Sequence, residues 1–481
     1  MKYTSNTLGA LALLATAVSA ATAALPGISD KKNSRAYAAD GGGLIINEIM
    51  VDNTDMFLDP SLNYGAWIEV YNPTNKTIDL TKYYVSTDPA QPKMFHLQSG
   101  SISPKSFANI WFDHYEANLQ TQVDFKLDTE GGIILLADKS GNIVAQESYP
   151  AAISRASYAR TTDGGDTWGW TAEPTPEASN AGSLFADSQL SAPIVDEDSQ
   201  LFDTSVGVSV TSQDEGVTLI YTTDGSTPTL DNGDELQAGK RVYFYETTPF
   251  RVRAFKHGCL PSTVVTRSYI YEDKDFTLPI LSINTLDANL YDDYMGCYVR
   301  GTNGIAGRGQ TGPCNWNRDW DRPVNFEYFD ASGVARVNQE ADFAVAGGWS
   351  RAHEPRSFKI KASKRYEGKN TLDSPFFERT PSLKYKALHM RGGGNDYSCR
   401  LKDAALQSIV LTSGVDVEGQ EYQPVVCYIN GVYKGLINMR EPNNKDYAYA
   451  NYGLDSDEID QFEIGPDSCY TQMYGTKDMY D

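Results

Sequence analysis

The sequence predicts a multidomain, mainly β protein: two β-sandwiches in tandem, followed by an α+β block. Three observations predict this. The 481 residues exceed what one hydrophobic core fills. Short alternating stretches such as Trp67-Ile-Glu-Val-Tyr71 recur between Gly, Pro and Asn turn signals as far as residue 272. From Leu278 onward longer strands appear together with helix starts.

At the N-terminus, Lys2 precedes the apolar run Leu8–Val18, which has the length of a secretion-signal core and is too short to span a bilayer. Small residues at Val18-Ser19-Ala20 and Ala21-Thr22-Ala23 suit cleavage. Residues 1–23 are thus expected to be a signal peptide, and the protein to be secreted or displayed at the cell surface. Residues 24–43 are polar and small, end in Asp40-Gly-Gly-Gly43, and read as a linker. No other segment is long and apolar enough to cross a membrane.

The net charge of −22 disfavours nucleic-acid partners, which need a basic face. Six cysteines (Cys259, Cys297, Cys314, Cys399, Cys427 and Cys469) all fall in the C-terminal half. Export permits disulfides, but six thiols allow fifteen pairings and the sequence selects none. No CxxC or HExxH spacing occurs, so no protein-held metal site is expected.

The first sandwich spans 44–184. Leu44-Ile-Ile-Asn-Glu-Ile-Met50 opens it, and Asn72-Pro73 and Lys139-Ser-Gly-Asn142 mark turns. In Trp67–Tyr71, Trp67 and Val70 are expected to share a buried face, with polar Glu69 opposite. The words "LIINEIMVDN", "WIEVYNPTNKTIDLTKYYVST" and "SYARTTDGGDTWGW" resemble the lamin-tail domain, an immunoglobulin-like sandwich found in many exported bacterial proteins. No catalytic constellation is present in it.

Residues 185–200 read as a second linker, and 190–272 as a second sandwich. There Asp224-Gly225 supplies a hairpin turn, closed by Ser226-Thr227-Pro228. "VTLIYTTDGSTPT" and "FRVRAFKHG" resemble the small immunoglobulin-like β-sandwich appended to chitobiases and hexosaminidases. The resemblance implies a spacer or support, with glycan contact as a weaker option.

In the third block, "LPILSINTLDANLYDD" is a strand running into a helix with Asp287 as N-cap. An amphipathic helix is expected from Lys402. Tyr428–Glu441, "YINGVYKGLINMRE", is a hairpin turning on Asn430-Gly431, a pair that tolerates φ > 0 at both positions. Gly301–Gly312 lacks the ending of a phosphate loop, and Gly348-Trp349-Ser350-Arg351-Ala352 lacks the last glycine of a nucleophile elbow.

Residues 277–481 resemble the CotH kinase family through Gly347, Gly348, Ser350, Arg351, Ser357, Phe358 and Lys359. Arg391, Gly392, Asp396, Asp403 and the Tyr428–Glu441 run add to the match. The resemblance implies the N-terminal lobe of an atypical kinase-like fold. It also implies ATP and Mg2+ as cofactors, and Ser/Thr of secreted or surface proteins as substrates. Phosphoryl transfer needs a fixed cation at the phosphates. Lys359 and Lys361, two apart on one strand, face the same side. With Arg351, Arg356 and the hinge residue Glu441 they form the expected cofactor-binding set. Arg356 stands where the family usually has Lys. Taken without the resemblance, the two lysines read as a solvated stripe on an exposed face.

Past Glu441 the 40 residues 442–481 carry no Asn/Asp-rich catalytic segment, so the lobe is expected to be incomplete and phosphoryl transfer absent. Asp446 and Asn451 mimic a catalytic-loop spacing, but helix is the expected state there, and no catalytic residue is assigned. The competing reading is a non-catalytic surface adhesion protein.

Overall fold

A computed structural model describes residues 23–24 and 43–476, except 113–121, 238, 274, 308–309, 311, 367–368, 397, 456–457 and 465–469. The expected signal peptide and first linker lie almost wholly outside the described residues, as does Cys469. No helix among the described residues is long and apolar enough to cross a membrane.

The chain is mainly β. The first module packs two sheets. One runs in the order Phe185–Ala186, Trp168–Thr171, Ser157–Arg160, Ile45–Met50, Trp67–Tyr71, Phe107–Phe112, Gln122–Val123. The other comprises Ile143–Tyr149, Gly132–Asp138, Tyr83–Ser86 and Phe95–His96. Ile46, Ile68, Val70, Ile110 and Leu136 fill the space between them. Side chains alternate along a strand, so Val70 pairs with Ile68, whereas Trp67 shares the opposite face with Glu69. That corrects the expected face. Trp67 packs on Met50 and Trp111 in a separate cluster, and Glu69 is buried too. Asn47 Nδ2 and the Ala178 N–H donate to the Glu69 carboxylate, and burial pushes its pKa up to about 9.

Residues 185–200 do not form a free linker. Phe185–Ala186 pairs with Trp170-Thr171 of the first module, and Ser188–Gln189 pairs with Cys259–Leu260 of the second. The segment is stitched into both neighbours by backbone hydrogen bonds, which local polarity could not reveal.

The second module carries a five-stranded sheet: Gln200–Phe202, Val265–Tyr271, Thr248–Phe255, Thr218–Thr222 and Asp234–Glu235. Phe250, Val252 and Ala254 enter its core. The alternating Arg251 and Arg253 are buried on the other face.

The third module is a closed seven-stranded barrel. Its strands are β1 (Ile280–Asn284), β2 (Arg322–Phe329), β3 (Ala335–Val345), β4 (Phe358–Lys361), β5 (Ala387–Arg391), β6 (Tyr422–Ile429) and β7 (Val432–Arg440). The order is β1-β2-β3-β4-β5-β7-β6. Every contact is antiparallel except β6 with β1, which closes the ring. Leu281, Phe326, Phe343, Phe358, Ile360, Leu388, Met390, Val425 and Met439 fill the interior. Two longer helices belong to this module, α1 (Lys402–Thr412) between β5 and β6 and α2 (Lys445–Tyr452) after β7. Among α1 side chains Ala404 is buried, while Leu406 and Ile409 are exposed, so the expected amphipathic packing is slight. Asp287 is the first residue of helix Asp287–Tyr291 rather than its cap; Leu286 holds the cap position.

The modules interlock. Trp320 Nε1 donates to Ser61 O at 2.7 Å, and Arg322 Nη1 to Leu62 O at 2.8 Å. Arg155 of the first module pairs with Asp55 at 2.7 Å and with Glu340 of the barrel at 2.9 Å. Thr227 of the second module donates to the same Asp55 at 2.8 Å, and Arg251 lies 3.7 Å from Glu340. One charge cluster thus joins all three modules. Between the second module and the barrel, Ser199, Ser268 and Asn338 donate to the buried Glu327 carboxylate.

The hairpin turn forms with φ of +48° at Asn430 and +75° at Gly431. Its tip docks on the second module against Pro249 and Thr247, and Asn430 Oδ1 accepts the Thr285 N–H at 2.9 Å. The five described cysteines are free thiols.

Candidate functional site

On β4, Phe358 and Ile360 point into the barrel, which forces Lys359 and Lys361 onto its outer face. The ladder then sets their neighbours. Lys359 lies opposite His389 of β5, and His389 opposite Arg440 of β7. Arg440 lies opposite Tyr422 of β6, its guanidinium 5.3 Å from that ring. A basic row therefore crosses three adjacent strands.

The two lysines have different fates. Lys361 Nζ donates to both Asp321 oxygens at 2.6 Å. Burial opposes its charge, but Asp321 and Asp342 outweigh that and raise its pKa. Lys359 is half-buried and has no hydrogen bond or ion pair among the described residues. Burial and then the Lys361 charge lower its pKa, against the pull of Asp446 and Asp319.

The rest of the row is equally short of acceptors. Arg440 is 1% exposed; Nη2 donates to Asp403 of α1 at 2.7 Å, while Nε and Nη1 have no partner among the described residues. Arg391 donates to the same Asp403 at 2.8 Å. Burial, then Lys359, Arg391 and Arg440, push His389 down to about 3, so it is neutral at pH 7, and its Nε2 is buried without a partner among the described residues. Burying polar nitrogens without acceptors is costly. An arriving anion would relieve that cost.

Arg351 and Arg356 are otherwise engaged. Arg351 Nη1 donates to Trp316 O at 3.0 Å, and burial lowers its pKa. Arg356 is sandwiched 4.2 Å from the Trp316 ring and 5.3 Å from the Tyr298 ring, and pairs with Glu354. Glu441 accepts from Thr380 Oγ1 at 3.1 Å, Asn451 Nδ2 at 2.8 Å and the Glu421 N–H at 2.9 Å. Its side chain ties the end of β7 to α2. Asn451 is thereby engaged as well, and Asp446 sits in the first turn of α2, its N–H bound by Asn444.

Of the five expected residues, Lys359 is the cation with neither a hydrogen bond nor an ion pair among the described residues. His389 and Arg440 join it, and sequence reading missed both. The signal was present: both stand at alternating outward positions in "ALHMR" and "INMR", but only strand order puts them beside Lys359. Among the described residues no group of three or more His, Cys, Asp or Glu side chains is placed to hold a metal.

Comparison with known proteins matches three family profiles to the chain: lamin tail domain over residues 38–151, Fn3 associated over 208–269, and CotH kinase protein over 343–478. The last covers β4, β5, the hairpin and both helices, and so the whole basic row. No curated protein matches the sequence. Among solved structures, a quinonprotein alcohol dehydrogenase-like protein from Bacteroides thetaiotaomicron is 9% identical. The match covers 59% of this chain and 72% of that one at a TM-score of 0.13, too low to bear on the fold.

Proposed function

We propose, from the premise that this chain carries a CotH kinase domain behind a lamin tail domain, that its barrel binds ATP by the triphosphate at the Lys359–His389–Arg440 row. On this reading it is the nucleotide-holding lobe of a family whose activity is phosphorylation of Ser/Thr hydroxyls on secreted or surface proteins. The carrying observation is the half-buried Lys359, without a hydrogen bond or ion pair among the described residues, at the end of a row in which Arg440 Nε and Nη1 and His389 Nε2 also lack partners there. Phosphoryl transfer rests on positioning and charge neutralisation, and a cation on a rigid strand supplies both. Arg440 is held by Asp403 through Nη2, which leaves Nε and Nη1 for a ligand; neutral His389 adds a ring N–H without adding charge. Mg2+ would arrive on the nucleotide, since such ions are commonly held by phosphates with few protein ligands. Export rests on the N-terminal apolar run.

Calorimetric titration of the chain with Mg-ATP tests the reading. Saturable binding that weakens roughly tenfold or more in Lys359→Ala is expected. Absence of saturable binding to the unmodified protein, above all alongside binding to a glycan array, would overturn it in favour of adhesion.

A further inference from the structure

The largest cavity described, about 800 Å³, lies away from the barrel row, between the first two modules. Its wall is mostly apolar, with Met56, Phe57, Leu184, Phe185, Leu260 and Leu286 contributing. Two buried cations line it, Arg155, which is paired with Asp55, and Arg253, 8% exposed. Strand alternation explains how a cation reaches this place. Val252 and Ala254 enter the core of the second module, so Arg253 must project from the other face, toward the first module.

Arg253 is not neutralised. Its Nε donates to Ser262 O at 2.7 Å and its guanidinium lies 5.6 Å from the Phe255 ring. Its two terminal nitrogens have no hydrogen-bond or carboxylate partner among the described residues. Nearby Asp55 and Glu340 are already bound to Arg155. Burial and the neighbouring Arg155 charge consequently lower the pKa of Arg253 to about 9. A buried cation without a counter-ion is expensive. The exposed Lys256 and His257 add to the basic side of the same wall.

We propose that this cavity binds a single-chain amphiphile with a carboxylate head, its head on Arg253 and its hydrocarbon tail along the Phe57–Leu286 wall. The volume falls within the range of small-ligand pockets, roughly 300–1,000 Å³. A carboxylate matches the guanidinium fork, and an alkyl tail matches a wall that offers few hydrogen bonds.

The test is calorimetric titration of the chain with dodecanoate below its micellar concentration, alongside 1-dodecanol and dodecyltrimethylammonium. One saturable site for dodecanoate is expected, roughly tenfold or more weaker for the alcohol and absent for the cation. Arg253→Gln is expected to reduce dodecanoate affinity by about the same factor. Ala172→Trp, which fills the cavity and leaves the cation, is expected to abolish binding and also serves if Arg253→Gln does not fold. No saturable site in the unmodified protein, equal binding of acid and alcohol, or undiminished binding to folded Ala172→Trp would each overturn the proposal.

Discussion

Gly225, in a turn of the second module, and Asn430, at the tip of the barrel's last hairpin, meet so closely that a Cβ on Gly225 would overlap the Asn430 side-chain oxygen. That oxygen also accepts the Thr285 N–H. Gly225 has φ of +85°, a conformation in which a side chain is strained in any case. Gly225→Ala should therefore lower stability by about 1–3 kcal/mol. Denaturant unfolding is the measurement; an unchanged midpoint would mean the two turns do not touch.

The contrast between Lys359 and Lys361 makes a second prediction. Lys361→Ala removes the ammonium that both Asp321 oxygens accept from and should cost stability, on the order of 1–2 kcal/mol given partial exposure, while affecting Mg-ATP affinity less. Lys359→Ala breaks no ion pair, so its melting temperature should stay within a few degrees while nucleotide affinity falls. Reversal of the two effects would assign the phosphates to the wrong lysine.

Glu327 supplies a pH signature. Burial raises its pKa from 4.5 to about 7, against the pull of the Ser199 and Ser268 hydroxyls. The folded state thus holds its proton more tightly than the unfolded chain. The associated stability is complete below about pH 4.5 and declines as pH rises toward 7. Glu327→Gln should remove that decline, because an amide can still accept on one side and donate to a rotated serine hydroxyl. The difference between the two stability–pH curves should be on the order of 1–3 kcal/mol. Parallel curves would show that Glu327 does not titrate there.

Arg155 anchors the three-module junction, and the cost of its loss should exceed that of a surface ion pair. It is buried with Asp55, whose pKa falls to about 2 because Arg155 and its hydrogen bonds outweigh burial. Arg155→Met strands Asp55 and Glu340 together, and should cost about 3–5 kcal/mol. Loss of the junction should also speed proteolysis between residues 185 and 200, which gel analysis of a timed digest would reveal.

What was legible in the sequence was local. Asn430-Gly431 and Asp224-Gly225 announced their turns because positive φ restricts residue choice. The family resemblance picked out Lys359, and the alternation of "SFKIKA" set it on the same side as Lys361. What was not legible depends on long-range pairing. His389 and Arg440 reach Lys359 only through strand order, and the Lys361 partner Asp321 is 40 residues distant. Glu69 read as solvent-facing because its cover, the loop reaching Ala178, lies 109 positions away. Residues 185–200 looked like spacer because their polarity hides the backbone pairing that holds them to two sheets. Barrel closure by β6 on β1 likewise leaves no local trace.

The charge knot of Asp55, Arg155, Thr227, Arg251 and Glu340 gives the tandem a mechanical character that beads on a string lack. Stretched from its ends, the protein should resist until the knot slips. The three folds should then give way in one large rupture rather than in a staircase of separate openings. A protein built this way would carry load through its middle, with the barrel braced by the sandwiches rather than dangling beyond them.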